Sequence, residues 1–335
     1  MKEFGSDFHS INSYQSGRAH ISNVYPDAWY MADGRMCLQA LIEQYGWKRI
    51  WMPEYFCYEV IDTIRKQTNI EIKFYKDYPG YNDKDEIQKI KFQEGDVLFR
   101  VNYFGMREKR SEKKIPVPVI EDHTHDLLGH WALYSDADWC MASLRKTLPI
   151  PEGGILWSPK GHQLSITFND TEDNEQMAAN RWKAMDMKAE YLAGQPVDKD
   201  AFRALYVETE EWFDTAALSG IDKRTKKFLE EVDINLWYNA KRNNLQNICS
   251  EIPNAVEAED NSCNLFSLIL KTDNRQDVRQ ALIDAKVYTA ILWNVPDEVS
   301  PEVKNYSRQM LSVHCDGRYT EEDMKDLTER IKKVL

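Results

Sequence analysis

The chain has 335 residues, enough to bury a large core and to leave a smaller companion domain. Its formal net charge of -12, from 43 Lys and Arg against 55 Asp and Glu, excludes a general nucleic-acid or anionic-membrane surface, which needs a basic face. Six cysteines without a Cys-x-x-Cys pair, no apolar leader in Met1–Asp7 and no apolar run of membrane-spanning length lead us to expect buried free thiols in a reduced, soluble, cytoplasmic protein.

Along the chain, residues 1–30 read as an N-terminal segment, 31–215 as a large α/β domain and 216–335 as a small α+β domain. Leu38, Leu41, Ile42 and Tyr45 recur at helical spacing, and Gly46 stops that helix. Arg49–Met52, closed by Pro53, reads as a buried strand; Val60, Ile61 and Ile64 mark a helix; Ile70–Tyr75 alternates as a strand. Asp96–Asn102, Val117–Glu121 and Trp139–Ala142 supply three more strands. This alternation predicts a mostly parallel sheet with helices on both faces, whose ligands sit beyond the carboxyl ends of the strands. Asn102 and Asp122 fall at such ends. Ser165–Gln195 is polar and helix-prone, and Thr209–Asn247 reads as long helices that include Trp212–Leu218 and Asn235–Ile248. The tail reads as a strand at Cys263–Leu270, a helix at Asp277–Ala285, a strand at Thr289–Trp293 and a final helix from Thr320, whose hydroxyl suits an N-cap.

The stretch Val119-Ile-Glu-Asp-His-Thr-His-Asp126 ends an apolar run in an acid, and Ser143-Leu-Arg-Lys-Thr147 ends the next one in a lone lysine. A carboxylate and an amine at neighbouring strand ends suit pyridoxal phosphate. The carboxylate keeps the pyridine nitrogen protonated, and the amine forms an imine with the aldehyde.

The order of motifs carries a resemblance. Asp-Gly-Arg (33–35), Leu38-x-x-Leu-Ile, Pro-Glu-Tyr-Phe-Cys (53–57), Asn-Tyr-Phe-Gly (102–105) and Ile-Glu-Asp-x-x-His (120–125) come first. Ser-Asp-Ala-Asp (135–138), Ser-Leu-Arg-Lys-Thr-Leu-Pro-Ile-Pro-Glu-Gly-Gly (143–154), Lys241-Arg-Asn-Asn-Leu and the stretch Leu311–Met324 follow. Over roughly residues 30 to 335 the chain resembles the fold-type-I pyridoxal phosphate enzymes and, among them, the DegT/DnrJ sugar aminotransferases; the segment from about 157 to 205 matches poorly.

The resemblance implies a seven-stranded-type, mostly parallel sheet sandwiched by helices, a small C-terminal α+β domain, and a homodimer. It implies transfer of an amino group from an amino acid, such as glutamate, to a keto acceptor such as a sugar or nucleotide-linked sugar. Lys146 would hold the cofactor and move the proton, and Asp122 would pair with the pyridinium nitrogen. His125 would sit by the phenolic oxygen, Ser143, Gly34 and Arg35 would hold the phosphate, and Tyr55 or Phe56 would stack on the ring. Three features depart from the family pattern. Asp33-Gly-Arg-Met replaces the small phosphate turn, Ser143 lies three rather than five residues before the lysine, and no Gly-Tyr-Asn-like loop for a partner subunit is visible.

Other readings stand beside this one. His123-x-His125 has a spacing that some zinc hydrolases use, and Ser143 lies near Lys146, although Gly-x-Ser-x-Gly is absent. A fold-type-I protein that runs another pyridoxal reaction, or senses a ligand without transaminating, is a further alternative. Arg318 reads as a solvated charge or as a partner for a substrate carboxylate.

Overall fold

The computed structural model describes residues 2–14, 18–81, 86–107, 114–253 and 266–335. Its strands are β1 (Phe4–Gly5), β2 (Trp29–Met31), β3 (Arg49–Pro53), β4 (Glu71–Tyr75), β5 (Asp96–Val101) and β6 (Val119–Asp122). They continue with β7 (Trp139–Ser143), β8 (Gly154–Trp157), β9 (Leu268–Lys271), β10 (Val287–Tyr288) and β11 (Met310–Val313). The helices are α1 (Ile21–Val24), α2 (Gly34–Tyr45), α3 (Tyr58–Gln67), α4 (His130–Leu133), α5 (Glu172–Leu192) and α6 (Lys199–Trp212). After them come α7 (Lys223–Glu231), α8 (Ile234–Glu251), α9 (Arg275–Asp284), α10 (Pro301–Gln309) and α11 (Glu321–Val334).

Seven strands form one sheet in the order β2-β8-β7-β6-β5-β3-β4, with β3 to β7 paired in parallel and β8 antiparallel to both of its neighbours. The mostly parallel α/β sheet expected from the sequence is therefore present. The five parallel strands coincide with the five strand segments read from the sequence: β5, β6 and β7 are buried on both faces, while the edge strand β4 alternates in exposure. The short edge strand β2 and the strand β8 carry no comparable signal. β8 opens in the Glu-Gly-Gly turn, and its identity depends on pairing Cys140–Ser143 against Trp157–Gly154.

The pleat sends successive side chains to opposite faces. Ile120 and Met141 join a core with α2 and α3, while Val119 and Cys140 join another that includes Trp182, Phe202 and Trp237. α2 begins under the Asp33 N-cap and ends at Gly46, whose φ of 59° is the left-handed stop that favours glycine. Toward the carboxyl end of the chain, β9 pairs antiparallel with β11, and α8, α9 and α11 enclose a third core. Phe4 packs in that core and β1 pairs with β10, so the first residues lie with the last ones.

Three sequence readings are corrected here. Thr289–Trp293 is not a strand: Ala290 alone bridges to Ser312, and the strand that completes the small sheet is β11. Trp212–Leu218 does not continue as helix, because α6 ends at Trp212 and the chain turns toward the Met31–Gly220 bridge. Of the strand expected at Cys263–Leu270, the first three residues lie outside the described ones, and β9 runs Leu268–Lys271. The Thr320 cap is present as a capping box, its hydroxyl accepting from the Asp323 amide and Asp323 from the Thr320 amide. No helix among the described residues is long and apolar enough to cross a membrane.

Arg318 is neither a solvated charge nor free for a substrate. Its side chain is 1% exposed and grips Asp316 through two bonds, Nε–Oδ1 at 2.9 Å and Nη2–Oδ2 at 2.8 Å. Burial pushes the Asp316 carboxyl up, but Arg318 outweighs it and holds the group well below the usual carboxylate range. Asp316→Asn should cost about 3–5 kcal/mol, because it leaves the guanidinium buried and unpaired. Urea unfolding at neutral pH reads this loss. A depressed carboxyl contributes fully above its unfolded pKa of about 3.9 and loses the contribution as pH falls below it, so the wild-type advantage over the variant should shrink in acid.

Candidate active site

Parallel strands β5, β6 and β7 end side by side, and the polar residues of interest follow those ends. Val101, Asp122 and Met141 are in register across the three strands, so Asp122 faces the α2 side while Glu121 faces the other. The Asp122 carboxylate is 8% exposed and accepts the Thr124 N–H at 2.8 Å. Burial raises its pKa, and the Thr124 bonds offset only part of that. Thr124 also accepts the Ser143 N–H through its hydroxyl at 2.9 Å, which ties the end of β6 to the end of β7. Asn102, after β5, is 1% exposed, and neither its amide nitrogen nor its amide oxygen has a hydrogen-bond partner among the described residues. Such atoms are costly to bury alone and mark a place where a partner is missing.

His125 stacks with Phe104 at 5.0 Å and with Trp293 at 5.6 Å, and Phe266 lies 4.1 Å away. Its Nδ1 accepts the Phe104 N–H at 3.1 Å. Burial, followed by the charges of Lys146 and Lys241, pushes its pKa down to about 3. A neutral imidazole that accepts at Nδ1 carries its proton on Nε2 and donates from there.

Lys146 follows β7 and reaches into a cleft of about 500 Å³ bordered by Phe8, Arg145, Arg181, Glu210, Phe266 and His314. Its side chain is 46% exposed to the cleft, yet the surrounding walls and then the Arg145 charge lower its pKa. Two anions line this cleft: Asp7, which lies 3.5 Å from Arg181, and Glu210 on α6. Glu210 takes both ends of the Arg145 fork at 2.8 and 2.9 Å, meets Arg181 at 3.0 Å and lies 3.8 Å from the Lys146 amine. Burial works against its charge, but Arg145, Lys146 and Arg181 together hold its carboxyl far below the usual range. The sequence reading missed Glu210, Arg181 and Arg145, because these partners are brought together only when α5 and α6 fold onto the sheet.

Gly34 and Ser143 meet at the start of α2, where a Cβ on Gly34 would come 3.0 Å from the Ser143 Cβ. Asp33 takes the Gly34 N–H at 2.7 Å and the Ser143 hydroxyl at 3.3 Å. Arg35 is buried and paired with Asp214 at 2.5 Å and with Asp33 at 3.5 Å. The two aromatic candidates both touch Trp293, the ring that stacks on His125, but from the core side. Tyr55 is fully buried, donates to the Leu292 carbonyl and packs edge-on against Tyr103 and Tyr306. Phe56 packs edge-on against Phe99. Both are core residues, as aromatics at the end of a buried strand commonly are, and neither borders the cleft.

The metal reading of His123 and His125 meets a structural obstacle. His123 Nε2 is 3.1 Å from Glu121, and Glu121, His123 and Cys140 are the one group of three possible ligands among the described residues. His125 is not part of it. Glu121 is already paired with Arg100 and takes the Ser135 hydroxyl at 2.6 Å, while burial pushes the Cys140 thiol well up. A guanidinium, a protonated thiol and a hydroxyl form a hydrogen-bond network, not a cation cage.

No family model and no curated protein matches this sequence. Solved structures do match. Spr1654 from Streptococcus pneumoniae, in its PLP form, aligns over 99% of this chain and 100% of its own at 11% identity and a TM-score of 0.62. NtdA from Bacillus subtilis, solved with bound PMP, aligns over 92% and 73% at 13% identity and a TM-score of 0.60. The sugar aminotransferase CalS13 from Micromonospora echinospora aligns over 99% and 98% at 14% identity and a TM-score of 0.57. The chain therefore has the fold of these structures along almost its whole length.

Proposed function

We propose that this chain is a pyridoxal-phosphate-dependent aminotransferase, carrying an amino group from a donor amino acid to a keto acceptor, of which a sugar is the first candidate. The observation that carries the reading is the placement, at neighbouring strand ends, of Lys146, an amine reaching into a cleft, and Asp122, a buried carboxylate with no salt bridge among the described residues. The fold shared with Spr1654, NtdA and CalS13, the last a sugar aminotransferase, supports the reaction class and the acceptor.

The residues fit the cofactor at several points. A protonated pyridine nitrogen is the partner that Asp122 lacks, and the bare amide of Asn102 and the Nε2–H of His125 are hydrogen-bonding groups for a ring substituent. Gly34 and Ser143 form an anion cup, with Arg35 and Arg145 at its edge. When bound, pyridoxal phosphate supplies an aldehyde for an amine and a ring that accepts carbanion charge. Of the chain's own groups, Lys146 Nζ is the one to take the proton from the substrate α carbon and return it. Its lowered pKa leaves more of the amine neutral and able to act as nucleophile and base. With the cofactor in place, Asp122 would hold a proton on the pyridine nitrogen by the favourable pairing of buried opposite charges. His125, kept neutral, orients its partner without adding a charge.

We infer a homodimer in a reducing compartment. The family resemblance supports the first, and the free thiols of Cys37, Cys57, Cys140, Cys249 and Cys315 support the second. The domain division near residue 215 belongs to the same reading.

The test is an absorbance spectrum of the purified protein with pyridoxal phosphate, before and after glutamate and other amino acids. A visible imine band that bleaches on adding a donor is the expected result. A band indifferent to every amino acid points to another pyridoxal reaction, and no band overturns the cofactor reading.

A further inference from the structure

The anion cup at the start of α2 already holds an anion, and it belongs to the chain. Asp33 is 3% exposed. Its Oδ1 accepts from the Gly34 N–H at 2.7 Å and from the Ser143 hydroxyl at 3.3 Å, and lies 3.7 Å from Arg145 Nε. Its Oδ2 lies 3.5 Å from Arg35 Nε. These are helix N-terminal, hydroxyl and guanidinium donors converging on one point, the set that suits a phosphate group.

One carboxylate does not satisfy the cup. Asp33 Oδ2 and Arg145 Nε are both buried without a hydrogen bond, although the Arg145 side chain is 4% exposed. The two carboxylate oxygens leave the Arg145 Nε at 3.7 Å, beyond hydrogen-bond distance. The walls cannot open at little cost, because Gly34 is already pressed against Ser143 and the outer ends of the two guanidiniums are tied to Asp214 and Glu210. A phosphate arriving beside Asp33 would meet a like charge at short range.

We propose that Asp33 is an internal competitor for phosphate. Its carboxylate takes the donors of the cup, a phosphate must displace it, and it thereby sets how tightly the site takes a phosphate group, whether free or carried by a cofactor. The cofactor arm of this inference rests on the proposed function; the phosphate arm does not.

The experiment compares wild type, Asp33→Asn and Asp33→Ser by calorimetric titration with inorganic phosphate and by absorbance titration with pyridoxal phosphate. Serine keeps a capping hydroxyl at the start of α2, so this variant remains informative if asparagine does not fold. The expected result is phosphate binding at least about tenfold tighter in the variants, the direction that removing a neighbouring like charge requires. Phosphate should also raise the melting temperature of the variants more than that of wild type, while chloride at equal ionic strength should not. Equal or weaker phosphate binding in both variants overturns the inference. If wild type forms an imine with pyridoxal phosphate and the variants gain nothing toward phosphate, this inference falls and the cofactor reading stands. If the variants gain phosphate affinity and no protein forms an imine, the inference stands and the cofactor reading falls.

Discussion

Replacing Lys146 with alanine should abolish the borohydride-reducible adduct with pyridoxal phosphate and lower amino transfer by about 10⁴-fold, the upper range for a positioned proton-transfer group that also serves as nucleophile. The fold should hardly notice. The side chain is 46% exposed, and its one ion-pair contact among the described residues, to Glu210, is at 3.8 Å. Substitutions of that kind change stability by roughly 0.5 kcal/mol or less. Mass spectrometry of the reduced, digested protein locates the adduct. An adduct that persists in Lys146→Ala would move the role to another amine, and Lys241 is the first to examine. It is 1% exposed, burial lowers its pKa to about 8, and its charge acts on His125 together with that of Lys146.

Asp122→Asn should leave the cofactor bound and slow each proton transfer by roughly 10² to 10³-fold, the scale for losing one preorganised electrostatic contact. An amide cannot hold a proton on the pyridine nitrogen, so the ring becomes a poorer acceptor of carbanion charge. Stability should be unchanged or should rise, since burial is the largest influence on Asp122 and disfavours its charge, and no salt bridge to a described residue offsets it. That combination is the signature of a group kept for function. Single-turnover kinetics and thermal unfolding on the same preparation test it. If activity and stability fall together, Asp122 serves the fold rather than the reaction.

Much of the scaffold was legible because its signals are local. The five parallel strands are short apolar or alternating segments closed by a turn or a polar residue, α2 is framed by Asp33 and Gly46, and α11 begins with a capping box. Each is decided within a dozen residues by side-chain period, turn geometry or a hydroxyl that satisfies free N–H groups. The chemistry at Asp122 and Lys146 was legible for a related reason. In a parallel sheet the residues that close adjacent strands share one edge, so two positions in the sequence imply one place in space.

The rest was decided between residues far apart. Glu210 meets Arg145 across 65 positions, and Arg35 meets Asp214 across 179, pairings that no local pattern announces. Tyr55 and Phe56 look alike in sequence whether they face a ligand or a core; packing against Tyr103, Tyr306 and Phe99 turned them inward. The small sheet closes on β11 rather than on Thr289–Trp293 because β9 found its partner in Met310–Val313. Asp33 reads in the sequence as a departure from a phosphate turn, and only the folded chain turns it into an occupant of the cup. Composition, period and caps determined which elements form and which edge carries the polar groups. Burial and long-range charge pairing, acting only once those elements meet, decided which of the groups are free to react.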